Sequence, residues 1–197
     1  MPDTQLIALA GLGNPGSDYA DTRHNAGFWL ADRFVERHRG TFRKEARFFG
    51  ELARVRVGAD VEVLVLKPQT FMNRSGQAVS ALLQFYKIPV DALLVAHDEL
   101  DLPVGAVRLK LGGGHGGHNG LRDIHKPLGD GYRRVRIGVG HPGQRELVMP
   151  YLTQMRPSRV EEAAILDGID RANEAIDLWL GSTWDKAVQA LHTAGTP

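Results

Sequence analysis

LIALA (residues 6–10), running into GLGNPGSDYADTRHN (residues 11–25), is the stretch on which the reading of this chain turns. The first part is an unbroken apolar run and reads as a buried central strand. The second is too rich in Gly, Asn, Asp and Pro to be helix or strand. Beyond it, Phe28, Ala31 and Val35 recur at helical spacing within the segment Phe28 to His38. Open α/β sheets place their ligands at loops leaving the ends of buried strands. This loop carries Asn14, Tyr19, Arg23, His24 and Asn25.

Farther along, Leu52, Val55 and Val57 are candidate inward residues of a run from Phe48 to Val57. VEVLVL (61–66) follows after Gly58-Ala59-Asp60. Two such runs with a short break predict an antiparallel hairpin and hence a mixed sheet. Val79, Leu82, Leu83 and Tyr86 predict a helix stopped near Ile88-Pro89. Strands follow at 92–96, 106–111 and 132–140, with a short helix at 121–128. From Arg145 onward the pattern is helical: Ile165, Ile169, Ala172, Ile176 and Trp179 form one apolar stripe. A last helix is predicted after Ser182 as N-cap. The expected fold is α/β: a single three-layer domain over residues 1–197, with helices on both faces of a mixed central sheet. Polar loops recur at successive strand ends: GLGNPG, KPQTFMN, HDELDLP, GGGHGGHNG and GHPG. If those ends share one edge of the sheet, one cleft collects them.

Composition narrows the chemistry. Lys plus Arg total 24 against 23 for Asp plus Glu, so net charge does not name a partner, though a local basic face stays open. There is no cysteine, which excludes a disulfide framework and thiolate catalysis. No apolar run reaches the ~18 residues of a membrane span, and no signal pattern opens the chain. A cytoplasmic protein is expected.

Gly11-x-Gly13-x-x-Gly16 matches the dinucleotide fingerprint only formally. Pro15 and the polar residues after it delay the helix by about two turns, and the acidic residue expected ~20 positions on would be Glu36, inside a helix. The glycines are better read as letting the backbone turn and present Asn14. His24, His97, His115, His118 and His141 fall in loops or at strand ends, near Asp98, Glu99 and Asp101. Their spacing fits no known zinc motif. No GxSxG elbow and no cysteine supplies a nucleophile. Water activated by His24, with Asp98 fixing its tautomer, is the simpler proposal, and an ester is a suitable target. Asn14, Asn73 and Asn119 can hold a carbonyl, a peptide backbone and a water, although any one asparagine alone would more ordinarily cap a turn. Lys110, Arg122, Lys126, Arg133, Arg134 and Arg136 cluster around the glycine run and would suit the phosphates of a nucleic acid. A nucleotide-dependent enzyme, a metal hydrolase and a non-catalytic RNA-binding module remain as alternatives.

GLGNPG, Tyr19, TRHNAG, KPQTFMNRSG, HDELDLPVG, GGGHGGHNGLRDI and RIGVGHPG stand in the order seen in bacterial peptidyl-tRNA hydrolases. The chain resembles that family from about Leu6 to Gly143, and its helical tail is similar in pattern. Each string is moderately specific; the ordered set is very specific. The resemblance implies a monomeric mixed-sheet α/β esterase with no metal or other cofactor. Its reaction would be cleavage of the peptide from the terminal ribose of peptidyl-tRNA released from ribosomes. It implies His24 as the base, Asp98 as the group steadying it, and Asn14 as the residue telling a blocked amino group from a free one. There the substrate would offer an uncharged amide N–H near Asn14. Tyr19, Phe71, Asn73 and Asn119 would line the site for the acylated tRNA end, with Met72 and His118 beside them. Lys110 and Arg136 would contact tRNA phosphate. The substrate is then peptidyl-tRNA, with no membrane and no obligate protein partner.

Overall fold

The computed structural model describes residues 3–194. In chain order the elements are β1 (Gln5–Gly11), α1 (Ala26–Arg37), β2 (Arg43–Glu45), β3 (Gly50–Val57), β4 (Val61–Pro68), α2 (Ser75–Tyr86), β5 (Leu93–Glu99) and β6 (Val107–Leu111). They continue with α3 (Asn119–Leu128), β7 (Arg133–Gly138), α4 (Val148–Thr153), α5 (Arg159–Gly181) and α6 (Trp184–Ala194). The strands form one sheet in the order β2-β3-β4-β1-β5-β7-β6. β4, β1, β5 and β7 run parallel, while β2, β3 and β6 pair antiparallel at the margins. The sheet is therefore mixed, as the hairpin signal implied.

β1 lies between two parallel neighbours and is buried from Ile7 to Gly11. A strand covered on both faces needs no polar alternation, which is why its sequence is a plain apolar run. α1 packs with α5, and α5 with α6, while α2 packs with α3 as a second helical group. The helices cover both faces. The apolar stripe expected on the tail holds: Ile165, Ile169, Ala172 and Ile176 are buried on α5.

Glycine sets how closely α1 meets the sheet. A Cβ on Gly27 would lie 2.4 Å from Leu12 N and from Ala96 O, and one on Gly11 would lie 2.3 Å from Gly27 O. Nothing larger fits at either position, so the first turn of α1 is drawn against the ends of β1 and β5.

Three sequence expectations need correction, and one strand was missed. The hairpin begins at Gly50, because Phe48 ends a 3-10 turn and Phe49 adopts a left-handed conformation (φ 53). β2 escaped notice since Arg43-Lys44-Glu45 is a three-residue charged edge strand without alternation. The tail is not continuously helical from Arg145: Gln154–Ser158 separate α4 from α5. α6 is capped by Thr183, whose Oγ1 accepts from Lys186 N–H at 3.2 Å, whereas the Ser182 hydroxyl donates back to Leu178 O in α5.

The expected convergence of loops is met by a longer route than sequence order suggested. The loops after β1, β4, β5 and β7 leave one edge, the carboxyl ends of the parallel strands. β6 is antiparallel, and its last residue, Leu111, pairs with Arg133, the first of β7. GGGHGGHNG therefore starts at the opposite edge and crosses back over the sheet to bring His118 to Asp98. Left-handed Gly113 (φ 102) and Gly117 (φ 83) bend it along that path.

Candidate active site

His24 sits in a 3-10 turn, Arg23–Asn25, directly before α1. Asp98 lies near the end of β5. Both are buried, and His24 Nδ1 is 2.9 Å from each carboxylate oxygen. A carboxylate accepts only, so Nδ1 carries the proton and donates, leaving Nε2 as the basic nitrogen. Burial works against the imidazolium, but the Asp98 charge and hydrogen bond outweigh it and hold the His24 pKa above its ordinary value. For Asp98, burial would raise the pKa, yet His24 and His118 hold the carboxyl well below the usual range.

His118 approaches the same carboxylate beside His24, with Nε2 2.9 Å from Asp98 Oδ1 and the two ring centres 4.9 Å apart. Its Nδ1 accepts from Gly120 N–H and Leu121 N–H as the N-cap of α3. The cap and the carboxylate thus fix one tautomer, in which Nε2 donates to Asp98. His24, Asp98 and His118 are also a set whose ligand atoms lie within 4.8 Å of one another. Their 2.9 Å N···O separations are those of hydrogen bonds running straight between ring and carboxylate.

Asn14 is buried and oriented by three hydrogen bonds. Asn25 grips its backbone from both sides, Oδ1 accepting from Asn14 N–H and Nδ2 donating to Asn14 O, each at 2.9 Å. The Asn14 side-chain Oδ1 accepts from Met72 N–H at 2.7 Å. That bond assigns the amide orientation, with Oδ1 taken and Nδ2 as the donor. Phe71, just before Met72, is exposed and has φ 62, ψ 155, a conformation otherwise confined to glycine. Its ring meets Tyr19 edge-on at 6.3 Å.

The cleft has two chambers meeting at His24, Asn119 and Met149. One, of about 270 Å³, is lined by Asn14, Tyr19, Phe71, Met72 and Asn73. The other, of about 280 Å³, is lined by Asp98, Glu99, Lys110, His118, Arg134 and Arg136. Pairing explains why the second is basic. His97 on β5 is opposite Arg136 on β7, Arg136 is opposite Arg108 on β6, and Arg134 is opposite Lys110. Directly opposed residues share a face, so these cations stand on one side of the sheet. Arg136 is countered by Glu99 at 2.8 Å; Lys110 is exposed. Arg134 is buried and donates to the carbonyls of Gly113 and Gly114, holding the crossing loop down. His97 is buried at the same place, where desolvation and the neighbouring His118 lower its pKa to about 3.

The residues nominated as base, its partner, substrate lining and phosphate contacts all line one cleft. Of the wider basic cluster, Arg133 instead lies over Trp179 and Trp184, and Arg122 and Lys126 line neither chamber. His141 lies exposed, its Nδ1 accepting from Gly143 N–H within a turn, and His115 does the same for Gly117 N–H. Sequence reasoning missed Met149 as part of the cleft, the burial of Arg134, and the supporting role of Asn25.

A family model described as peptidyl-tRNA hydrolase matches residues 8–196. The chain belongs to the peptidyl-tRNA hydrolase family. It is 54% identical over 185 residues to a peptidyl-tRNA hydrolase of Halorhodospira halophila, covering 93% of this chain and 94% of that one. It is 50% identical over 187 residues to one of Alkalilimnicola ehrlichii, covering 94% of each. The crystal structure of peptidyl-tRNA hydrolase from Acinetobacter baumannii superposes with a TM-score of 0.91 at 40% identity, covering 97% of this chain and 96% of that one. The family thus accounts for the mixed sheet and for nearly the whole length of the chain.

Proposed function

We infer that this chain hydrolyses the ester joining a peptide to the terminal ribose of peptidyl-tRNA. The observation that carries the mechanism is the buried His24–Asp98 pair at the junction of a basic chamber and an asparagine-lined one. The ester would sit at that junction, with the tRNA end toward Lys110 and Arg136 and the peptide toward Asn14, Tyr19, Phe71, Met72 and Asn73.

In the step we propose, His24 Nε2 takes a proton from water as its oxygen adds to the ester carbonyl. The C–O bond to the ribose then breaks, and the imidazolium returns the proton to the departing ribose oxygen. Asp98 stabilises the imidazolium between these events, and His118 keeps Asp98 in place. Side-chain amides of Asn73 and Asn119 are the donors for charge developing on the carbonyl oxygen. Asn14 offers Nδ2–H, because Met72 N–H occupies its Oδ1. A donor there suits the carbonyl of an N-acyl group rather than its amide N–H, and it opposes the ammonium of an unblocked aminoacyl ester.

The whole chain is proposed to act as one monomeric unit in the cytoplasm. Among the described residues no helix is long and apolar enough to cross a membrane. The deciding experiment is peptide release from purified peptidyl-tRNA by the unmodified chain and by His24→Ala. Loss of about 10²–10⁴-fold in kcat with binding retained is the expected result. Equal turnover by the two proteins would reject His24 as the base, and loss of activity to a chelator would favour a metal instead.

A further inference from the structure

Arg23 immediately precedes His24 and is only 4% exposed, and its side-chain hydrogen bonds run to α4, Met155 and Glu161 rather than to Asp98. Its guanidinium lies 3.8 Å from the centre of the Tyr151 ring. Nη1 donates to Tyr151 O and Met155 O, both at 3.2 Å, at and just beyond the end of α4. Nη2 donates to Glu161 Oε2 at 3.1 Å. Glu161 is itself fixed by the capping box it forms with Ser158 at the start of α5. The Tyr151 hydroxyl donates to Val139 O at 2.5 Å, just after β7. One side chain thus joins the turn bearing His24 to α4, to α5 and, through Tyr151, to the sheet.

α4 has only six residues, too few to be stable on its own. Yet it walls the cleft: Val148, Met149 and Leu152 line the basic chamber, and Met149 and Thr153 the asparagine chamber. Arg23 therefore ties the base and the wall opposite it to one anchor. A lysine could keep the charge but not the stacking or the forked donation to α4 and Glu161.

We propose that Arg23 is a positioning residue for the hydrolysis, holding α4 as a fixed wall at a set distance from His24 and thereby setting how tightly peptidyl-tRNA is held. It acts through α4 and not on the proton chemistry of His24. The test is Arg23→Lys, with steady-state kinetics across pH and amide hydrogen exchange over residues 147–155. KM should rise roughly tenfold with kcat nearly unchanged, a split that marks lost binding rather than lost chemistry. The acid limb of the pH profile should stay in place, and amides of α4 should exchange faster while those of β1 and β5 do not. Tyr151→Leu removes the stacked ring but keeps the arginine, and should give the same pattern with smaller amplitude. If Arg23→Lys does not fold, Tyr151→Leu is judged by the same criteria. An unchanged KM despite faster exchange in α4 would overturn the proposal. So would a fall in kcat with a displaced acid limb, which would place Arg23 in the chemistry of His24.

Discussion

The two chambers flanking His24 are built from opposite materials. The asparagine chamber is lined by polar groups that are almost all uncharged, and Asn14 at its wall is aimed by specific partners. Asn25 holds the backbone of Asn14, Met72 N–H holds its side chain, and Tyr19 meets Phe71 edge-on. The cations of the basic chamber are strand residues whose positions follow from register, with like charges directly opposed across β6 and β7. Opposed like charges weaken a sheet, and an anion laid over them would relieve the repulsion. The first chamber is organised for geometry and the second for charge. Substitutions on the two sides should therefore fail in different ways.

The largest difference is expected at the junction. Asp98→Asn removes the charge that raises the His24 pKa, leaving burial to lower it. Activity requires His24 unprotonated, so the acid limb of the wild type lies above the ordinary imidazole range and that of Asp98→Asn below it. kcat should fall about a hundredfold or more, because the Nδ1–H tautomer is no longer enforced. A limb that stays put would break the pairing on which both chambers depend.

A smaller effect should mark the asparagine side. Asn14→Ala should shrink the preference for N-acetylated over free aminoacyl-tRNA by roughly tenfold, the worth of about one hydrogen bond to substrate. Its dependence on salt should match the wild type. An intact preference would move recognition of the blocked amino group elsewhere.

The smallest effect is expected on the basic side. Lys110→Ala should raise KM a few-fold at moderate salt, leave kcat alone, and reduce the slope of log affinity against log salt by about one phosphate contact. A change in kcat with an unaltered salt slope would erase the distinction between the chambers.

Much of this site could be read before any fold was known, for reasons particular residues make clear. LIALA is legible as a central strand because a strand covered on both faces must be apolar throughout. The stripe on α5 is legible because burial imposes helical periodicity. β2 was invisible because a three-residue edge strand buries nothing and leaves no pattern. Asn25 looked like one more loop amide, since its value lies in two hydrogen bonds to Asn14, eleven residues away. Arg134 read as surface charge, and it is buried because the glycine loop folds back over it.

By itself the sequence determined most of the strand-and-helix order, the mixed sheet, and the set of polar residues in the loops at strand ends. These depend on local periodicity and residue type, which the chain carries from one position to the next. Only the tertiary structure decided that the glycine loop starts at the far edge and returns, that His24 and His118 share one carboxylate, and that Met72 N–H takes the side-chain oxygen of Asn14. Those outcomes depend on which strands neighbour one another and in which direction they run, and no local pattern encodes that.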